Sequence, residues 1–384
     1  MRYFDFAAST PISKQSLDVF NQLSVRCFGN ASSLHDSGGE AKYILDHARE
    51  DLALQIGADA RGIYFTSGGT ESNLLSIISL AKARRHYGNH LIVTAGEHPS
   101  VDSAMEYLKT DGFCVTVIPF TETGVIDLGK LDRAIGDETI LISVQHVNPE
   151  IGTIQPIKKI AERIERKNIL LHCDCVQSLG KIDVRPIVRW IDAMTFSSHK
   201  VYGPKGVGAV YINPRHRLVP VFPGLIQESG FRGGTLNVPG IAAFVTAAAD
   251  CIKEERADYL TLRRAFLGRL EGTAERFTIY EGASRESQLP QIIGLGVKQL
   301  EGQLVMLELN RRGFAVSTGS ACQAGMQHAA KTMTAMGIAG QQAKEFIRIS
   351  FGKGTTEESV LQLADELVKI ASMYRVNPIS SRQV

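Results

Sequence analysis

Over roughly the first 250 residues, short apolar runs alternate with segments of helical character, and this alternation restricts the fold more than any other feature. GIYFTSGG precedes TESNLLSIISLAKARRH, and NHLIVTAGEH precedes PSVDSAMEYLKTDG. FCVTVIPF, TILISVQHV, the helical IKKIAERIERKN, ILLHCDCVQ and DAMTFSSHK follow in turn. Near-continuous apolar strands separated by helices predict an α/β chain whose mainly parallel sheet is covered on both faces. In such sheets ligands collect beyond the carboxyl ends of the strands. Polar residues gather at those ends here: Ser67 to Thr70, His98, Asn148, Asp174, Gln177 and His199.

From about residue 239 to 276 the pattern is long and helical. Strand-like LPQIIGLGV, FAVSTGSA and FIRISFG then alternate with helix. Thr355 with Glu358 reads as a capping box ahead of a final amphipathic helix. We expect a large domain over 15–252 and a smaller α+β domain built from 1–14 and 253–384, the two joined by the long helix.

Charge excludes some functions. With 42 basic and 40 acidic residues there is no field strong enough to argue for nucleic acid or a membrane surface. No apolar run reaches membrane-span length and the N-terminus lacks a signal-peptide core, so the expected home is the cytoplasm. Six cysteines are scattered without a CxxC, which fits reduced thiols and offers no metal site.

The Gly-rich TSGGTES follows a strand and opens a helix, so backbone N–H groups around Gly69 and Thr70 suit a phosphate. No G-x-x-x-x-G-K-[ST] match exists, which argues against a nucleotide P-loop. In HCDCVQS, strand alternation puts Cys173 and Cys175 on one face, most simply in the core, and Asp174 on the other. A carboxylate ending an apolar strand needs a positive partner, and a protonated heterocyclic nitrogen would be one. Lys200 follows one helix and one strand later, within SSHKVYGPKGVGA, and a buried lysine can form a Schiff base. Taken alone it reads as a loop lysine. An Asp, a Lys and a phosphate cradle at neighbouring strand ends together supply what pyridoxal phosphate requires. Cys322 lies in the small-residue segment STGSACQAGMQH, where its sulfur would be accessible. Arg348, on the apolar strand FIRISFG, needs an anion, either a substrate carboxylate or a structural Asp or Glu.

These pieces, in this order, resemble the pyridoxal-phosphate-dependent cysteine desulfurases of the NifS/IscS group, in the class-V aminotransferase branch of fold type I. FDFAASTP, FTSGGTES, EH, NPEIGTIQP, DCVQSLGK, SSHKVYGPKGVGA, FRGGTLNVPG, STGSAC and FIRISFG carry the likeness along almost the whole chain. The resemblance implies that Lys200 holds the cofactor covalently, Asp174 keeps its ring nitrogen protonated and Gln177 hydrogen-bonds its phenolic oxygen. It implies that His98 stacks on the ring and moves protons, and that Gly69, Thr70, Ser197 and His199 hold the phosphate, with Thr235 reaching it from the other subunit of a homodimer. Arg348 and Asn148 would meet the substrate, L-cysteine. Cys322 would receive its sulfur as a persulfide and pass it to an acceptor protein, such as an iron–sulfur scaffold or quinolinate synthase. The alternatives are a selenocysteine lyase or related class-V aminotransferase that does not use Cys322, and a scaffold derived from the same fold.

Two positions depart from the family pattern. Pro149 stands where a second Asn is usual and brings no N–H donor, so either Asn148 compensates or a contact is missing. Ser229 replaces a common arginine. Both bring the chain closer to the Gram-positive NifS-like proteins that supply sulfur for the iron–sulfur cluster of quinolinate synthase in NAD synthesis.

Overall fold

The computed structural model describes residues 1–253, 258–319 and 330–374. The strands are β1 (Arg2–Tyr3), β2 (Ile63–Thr66), β3 (His90–Thr94), β4 (Cys114–Ile118), β5 (Thr139–Gln145) and β6 (Leu170–Asp174). They continue as β7 (Ala193–Ser197), β8 (Gly208–Ile212), β9 (Phe277–Tyr280), β10 (Ile292–Val297), β11 (Phe314–Ala315) and β12 (Phe346–Ser350). Seven of them form the main sheet in the order β2-β8-β7-β6-β5-β3-β4. Every pairing is parallel except those of β8, which runs antiparallel to both β2 and β7.

Both faces of this sheet are covered, as the apolar runs require. Leu91 and Val93 of β3 join the core beneath helices Gly69–Arg84 and Pro99–Thr110. Ile92, between them, points into the opposite core beneath helices Asp36–Ile56, Ile157–Ile164 and Val238–Lys253. Period-2 alternation thus feeds two apolar layers from one strand. Cys173 and Cys175 pack in that second layer with sulfurs 3.7 Å apart, which bears out the core reading for the pair. Cys251 is also buried, whereas Cys114 lies exposed on the edge strand β4.

A second core joins Phe4 to Phe266, Leu295, Ile347, Ile349 and Leu367. Its sheet is antiparallel, ordered β12-β10-β9, and β1 pairs with β11 alongside. The first residues of the chain therefore pack with the last third.

Two local expectations change. The helical stretch from 239 to 276 is not one helix: Val238–Lys253 ends before residues 254–257, and Tyr259–Leu270 starts afresh with Asp258 as its N-cap. The capping box of the last helix, Glu357–Met373, is Thr356 with Ser359 rather than Thr355 with Glu358. Thr355 instead turns back to accept from the Gly352 N–H through its hydroxyl. Two adjacent threonines offer the same side chain, and the turn at Gly352 takes the first of them.

Candidate active site

The expected polar residues meet where β2, β3, β5, β6 and β7 end. Asp174, the last residue of β6, is buried. Its Oδ2 accepts from Asn73 Nδ2 at 2.8 Å and its Oδ1 from the Val176 N–H at 2.9 Å. Both carboxylate oxygens are thus held by hydrogen bonds. Asn73 also donates to Ser100 Oγ and accepts from Thr195 Oγ1 at 2.7 Å.

His98 caps the helix that begins at Pro99, where proline costs no hydrogen bond. Its Nδ1 accepts from the Ser100 N–H, so the neutral ring carries its proton on Nε2. The residue is exposed. Desolvation nevertheless lowers its pKa, with Asp174 opposing the shift and Lys200 adding to it.

Lys200 ends a short turn of helix after β7. Its Nζ donates to the carbonyls of Ala7 at 2.6 Å and Ala8 at 2.8 Å. Thr10 fixes that N-terminal segment, its N–H and hydroxyl both donating to the His199 carbonyl. Gln177 Nε2 donates to the same Ala7 oxygen at 2.8 Å. One backbone carbonyl therefore sits where two of the expected cofactor-binding side chains converge.

Helix Gly69–Arg84 brings its N-terminus to these groups, a position suited to an anion. Gly68 precedes it at φ 150°, a conformation open to glycine, and no side chain caps the helix. Close packing fixes the approach, since a Cβ on Gly208 would fall 2.6 Å from Gly68 Cα. Ser197 is buried at the end of β7, and Thr70 is exposed. His199 is driven down to a pKa of about 4, by burial first and then by Lys200, Lys205, Lys181 and His98. That excess of positive charge beside a helix N-terminus suits a dianionic phosphate. Together with the amine of Lys200 and the carboxyl group of Asp174, the donor set fits pyridoxal phosphate.

Arg348 lies on β12 opposite Gly294, almost fully buried. Nη2 reaches Asp5 Oδ1 at 2.7 Å and Nη1 donates to the Pro149 carbonyl at 3.0 Å. Of the two anions expected for it, the structural aspartate is present. Nε is buried with no partner among the described residues.

Asn148 is fully buried; its Oδ1 accepts from the N–H groups of Glu150 and Ile151, and its Nδ2 donates to Thr332. These bonds close the turn that carries Pro149. Ser229, with φ 55°, belongs to a strained turn held by its neighbour. The buried Glu228 takes Arg49 through both oxygens and accepts from the Phe65 N–H. Thr235 lies exposed beyond this turn, and Cys322 falls outside the described residues.

Asn73 and Lys181 escaped the sequence reading. The available signal was a buried polar file, Ser72, Asn73, Ser76 and Ser79, on an otherwise apolar helix. An unpartnered amide there would be costly, so it had to meet a polar group.

The family model for class-V aminotransferases matches residues 2–363. A NifS protein of Bacillus subtilis (strain 168) is 48% identical over 367 residues, covering 94% of this chain and 93% of that protein. The cysteine desulfurase IscS of Neisseria meningitidis serogroup C (strain 053442) is 38% identical, covering 98% and 94%. Among solved structures, a NifS-like protein superposes with a TM-score of 0.88 at 31% identity, covering 97% of this chain and 100% of its own. SspA in complex with cysteine superposes at 0.80 with 33% identity, covering 91% and 99%. With a family match and relatives that span nearly its whole length, the chain belongs to the class-V aminotransferases, in the NifS/IscS group.

Proposed function

We propose that this chain is a pyridoxal-phosphate-dependent cysteine desulfurase. The observation that carries the reading is the convergence of the Lys200 amine, the doubly hydrogen-bonded Asp174 and an uncapped helix N-terminus at adjoining strand ends. Pyridoxal phosphate, when bound, supplies an electron sink for carbanion chemistry at the substrate α-carbon. Lys200 would hold the cofactor, with Asp174 facing its ring nitrogen and Gln177 its phenolic oxygen. Gly69, Thr70, Ser197 and His199 would take the phosphate. His98, with its Nδ1 accepting from the Ser100 N–H and its pKa lowered by desolvation, would move protons beside the cofactor. Arg348 would bind the substrate carboxylate through its remaining N–H.

In the overall reaction the Cβ–S bond of L-cysteine breaks, a proton replaces sulfur on carbon to give L-alanine, and sulfur joins the Cys322 thiol as a persulfide. Thiol plus cysteine gives persulfide plus alanine, so atoms and electrons balance. The relatives named cysteine desulfurase and the neighbour in complex with cysteine support this substrate.

The finer reading has a cytoplasmic homodimer in which Thr235 serves the partner's site, a large domain over 15–252 and a small one over 1–14 and 253–384. Exposed Phe28, Leu34, Phe222 and Ile226 support the dimer. Among the described residues no helix is long and apolar enough to cross a membrane. The acceptor would be an iron–sulfur scaffold or quinolinate synthase.

The test is direct. Purified protein with pyridoxal phosphate, L-cysteine and a thiol reductant is expected to yield alanine and sulfide in equal amounts. Cys322→Ala and Lys200→Ala should each abolish this. Full activity in Cys322→Ala would favour a lyase that does not use the thiol, and a protein inert even with added cofactor would leave only a scaffold.

A further inference from the structure

The turn after β6 brings a second lysine to the site. Gly180, at φ 72°, reverses the chain against the helix Val238–Lys253, where a Cβ on it would come within 2.7 Å of Cys251 Cβ. Lys181 is thereby aimed back at Gln177, and its Nζ donates to Gln177 Oε1 at 2.5 Å.

This contact decides which way the carboxamide faces. The two ends of a glutamine amide are nearly the same shape and differ only in donating or accepting. A lysine amine in its charged form can only donate, so it selects the oxygen. Gln177 Nε2 must then face the other way, and it does, donating to the Ala7 carbonyl that Lys200 also uses. The result is a relay from Lys181 through Gln177 to the point where Lys200's amine is held.

We propose that Lys181 is a positioning residue of this site, fixing the Gln177 amide with its N–H donors toward the cofactor's phenolic oxygen and adding positive charge beside Lys200. The inference rests on the function proposed above. Burial, then the charge of Lys200, lowers the Lys181 amine to a pKa of about 7, with Cys251 opposing and Arg348 adding to the shift. His98, capping the helix at Pro99, and His199, beside Lys200 in the short turn after β7, each feel the charge of Lys200. Lys353 and Tyr259 line the same cavity of about 180 Å³ as Lys181 and Lys200. Asp174 lies close enough to be felt by His98. The contact to Gln177 Oε1 that the structure describes comes from Lys181.

Loss of the lysine acts in one direction through both routes. A phenolic oxygen deprived of the Gln177 donor holds a nearby proton more tightly, and an amine relieved of a like charge is easier to protonate. In Lys181→Met, the pH midpoint of the absorption change of the lysine-bound cofactor is expected to rise by about one unit, a tenfold gain in proton affinity. Lys181→Arg keeps a charge and a donor and should stay within about 0.3 of wild type. In cofactor-free protein, the pH midpoint for acetylation of Lys200 by acetic anhydride, read by mass spectrometry, should rise in the same variant. Unmoved midpoints in a folded Lys181→Met protein would overturn the proposal, as would an Arg variant that behaves like Met. A wild type that takes no colour from pyridoxal phosphate would sink the proposed function instead, and the acetylation profile would still decide the role of Lys181.

Discussion

Asp5 and Arg348, 343 positions apart, meet through one 2.7 Å ion pair that closes the start of the chain onto its last strand. The guanidinium is almost fully buried and the carboxylate mostly so. Removing the acid leaves a buried cation short of a partner, a loss of about 3 kcal/mol. Asp5→Asn keeps the size and an acceptor but removes the charge that competes with a substrate carboxylate. We expect its denaturant midpoint to fall while KM for L-cysteine drops several-fold with kcat little changed. A raised KM would mean that Asp5 orients Arg348 rather than opposing the substrate.

Asn73 joins three groups of the site, since it donates to Asp174 and Ser100 and accepts from Thr195. A hydrogen bond to a charged group contributes about 1.5–3 kcal/mol. Asn73→Ala should therefore weaken binding of pyridoxal phosphate ten- to a hundredfold, measured by absorbance titration of cofactor-free protein. Unaltered affinity would show that Val176 alone suffices to hold the carboxylate.

Three buried groups predict how stability of the cofactor-free protein varies with pH. Burial lowers His172 to a pKa of about 3 and His146 to about 4, and raises Glu97 to about 8. The histidines stay neutral in the fold while the unfolded chain protonates them below about 6.5, so their contribution is complete above that pH and declines as pH falls. Glu97 keeps its proton in the fold up to about pH 8 but loses it near 4.5 when unfolded, so its contribution is present at low pH and declines as pH rises between those values. Each group gives a slope of about 1.4 kcal/mol per pH unit. Between pH 6.5 and 4.5 these histidines, together with His199, outweigh Glu97. Glu97→Gln should steepen the acid-side slope and flatten the decline from pH 6.5 to 8, as measured by urea titrations at several pH values. Identical profiles for variant and wild type would rule out a protonated Glu97.

Pro149 offers Arg348 its carbonyl, a contact any residue can make. Pro149→Asn therefore keeps that bond and restores the missing donor. Alanine production at or above the wild-type rate is expected, and complete loss would mark the proline as a required part of the site.

Much of the site was legible because its signals are local. Asp174 ends an apolar strand, Lys200 follows the next, and glycines open a helix, so each could be read within a dozen residues. The Cys173–Cys175 pair went to the core by alternation alone. The helix start at Asp258 and the shifted capping box were missed because neighbouring residues offered equivalent chemistry, and context chose between them. The antiparallel course of β8 was also hidden, because a doubly covered strand shows the same apolar run in either direction.

The sequence by itself determined the layers, which strand ends bear polar chemistry and the covalent chemistry open to Lys200. Periodicity and side-chain type are properties of the chain and need no partner to be defined. Only the tertiary structure decided that Asp5 meets Arg348, that Asn73 braces Asp174, that Asn148 closes its own turn and that Lys181 turns Gln177. Each of these is a pairing of buried polar groups, whose high desolvation cost forces a partner without naming it. The name of the partner comes from which elements the packed core brings together.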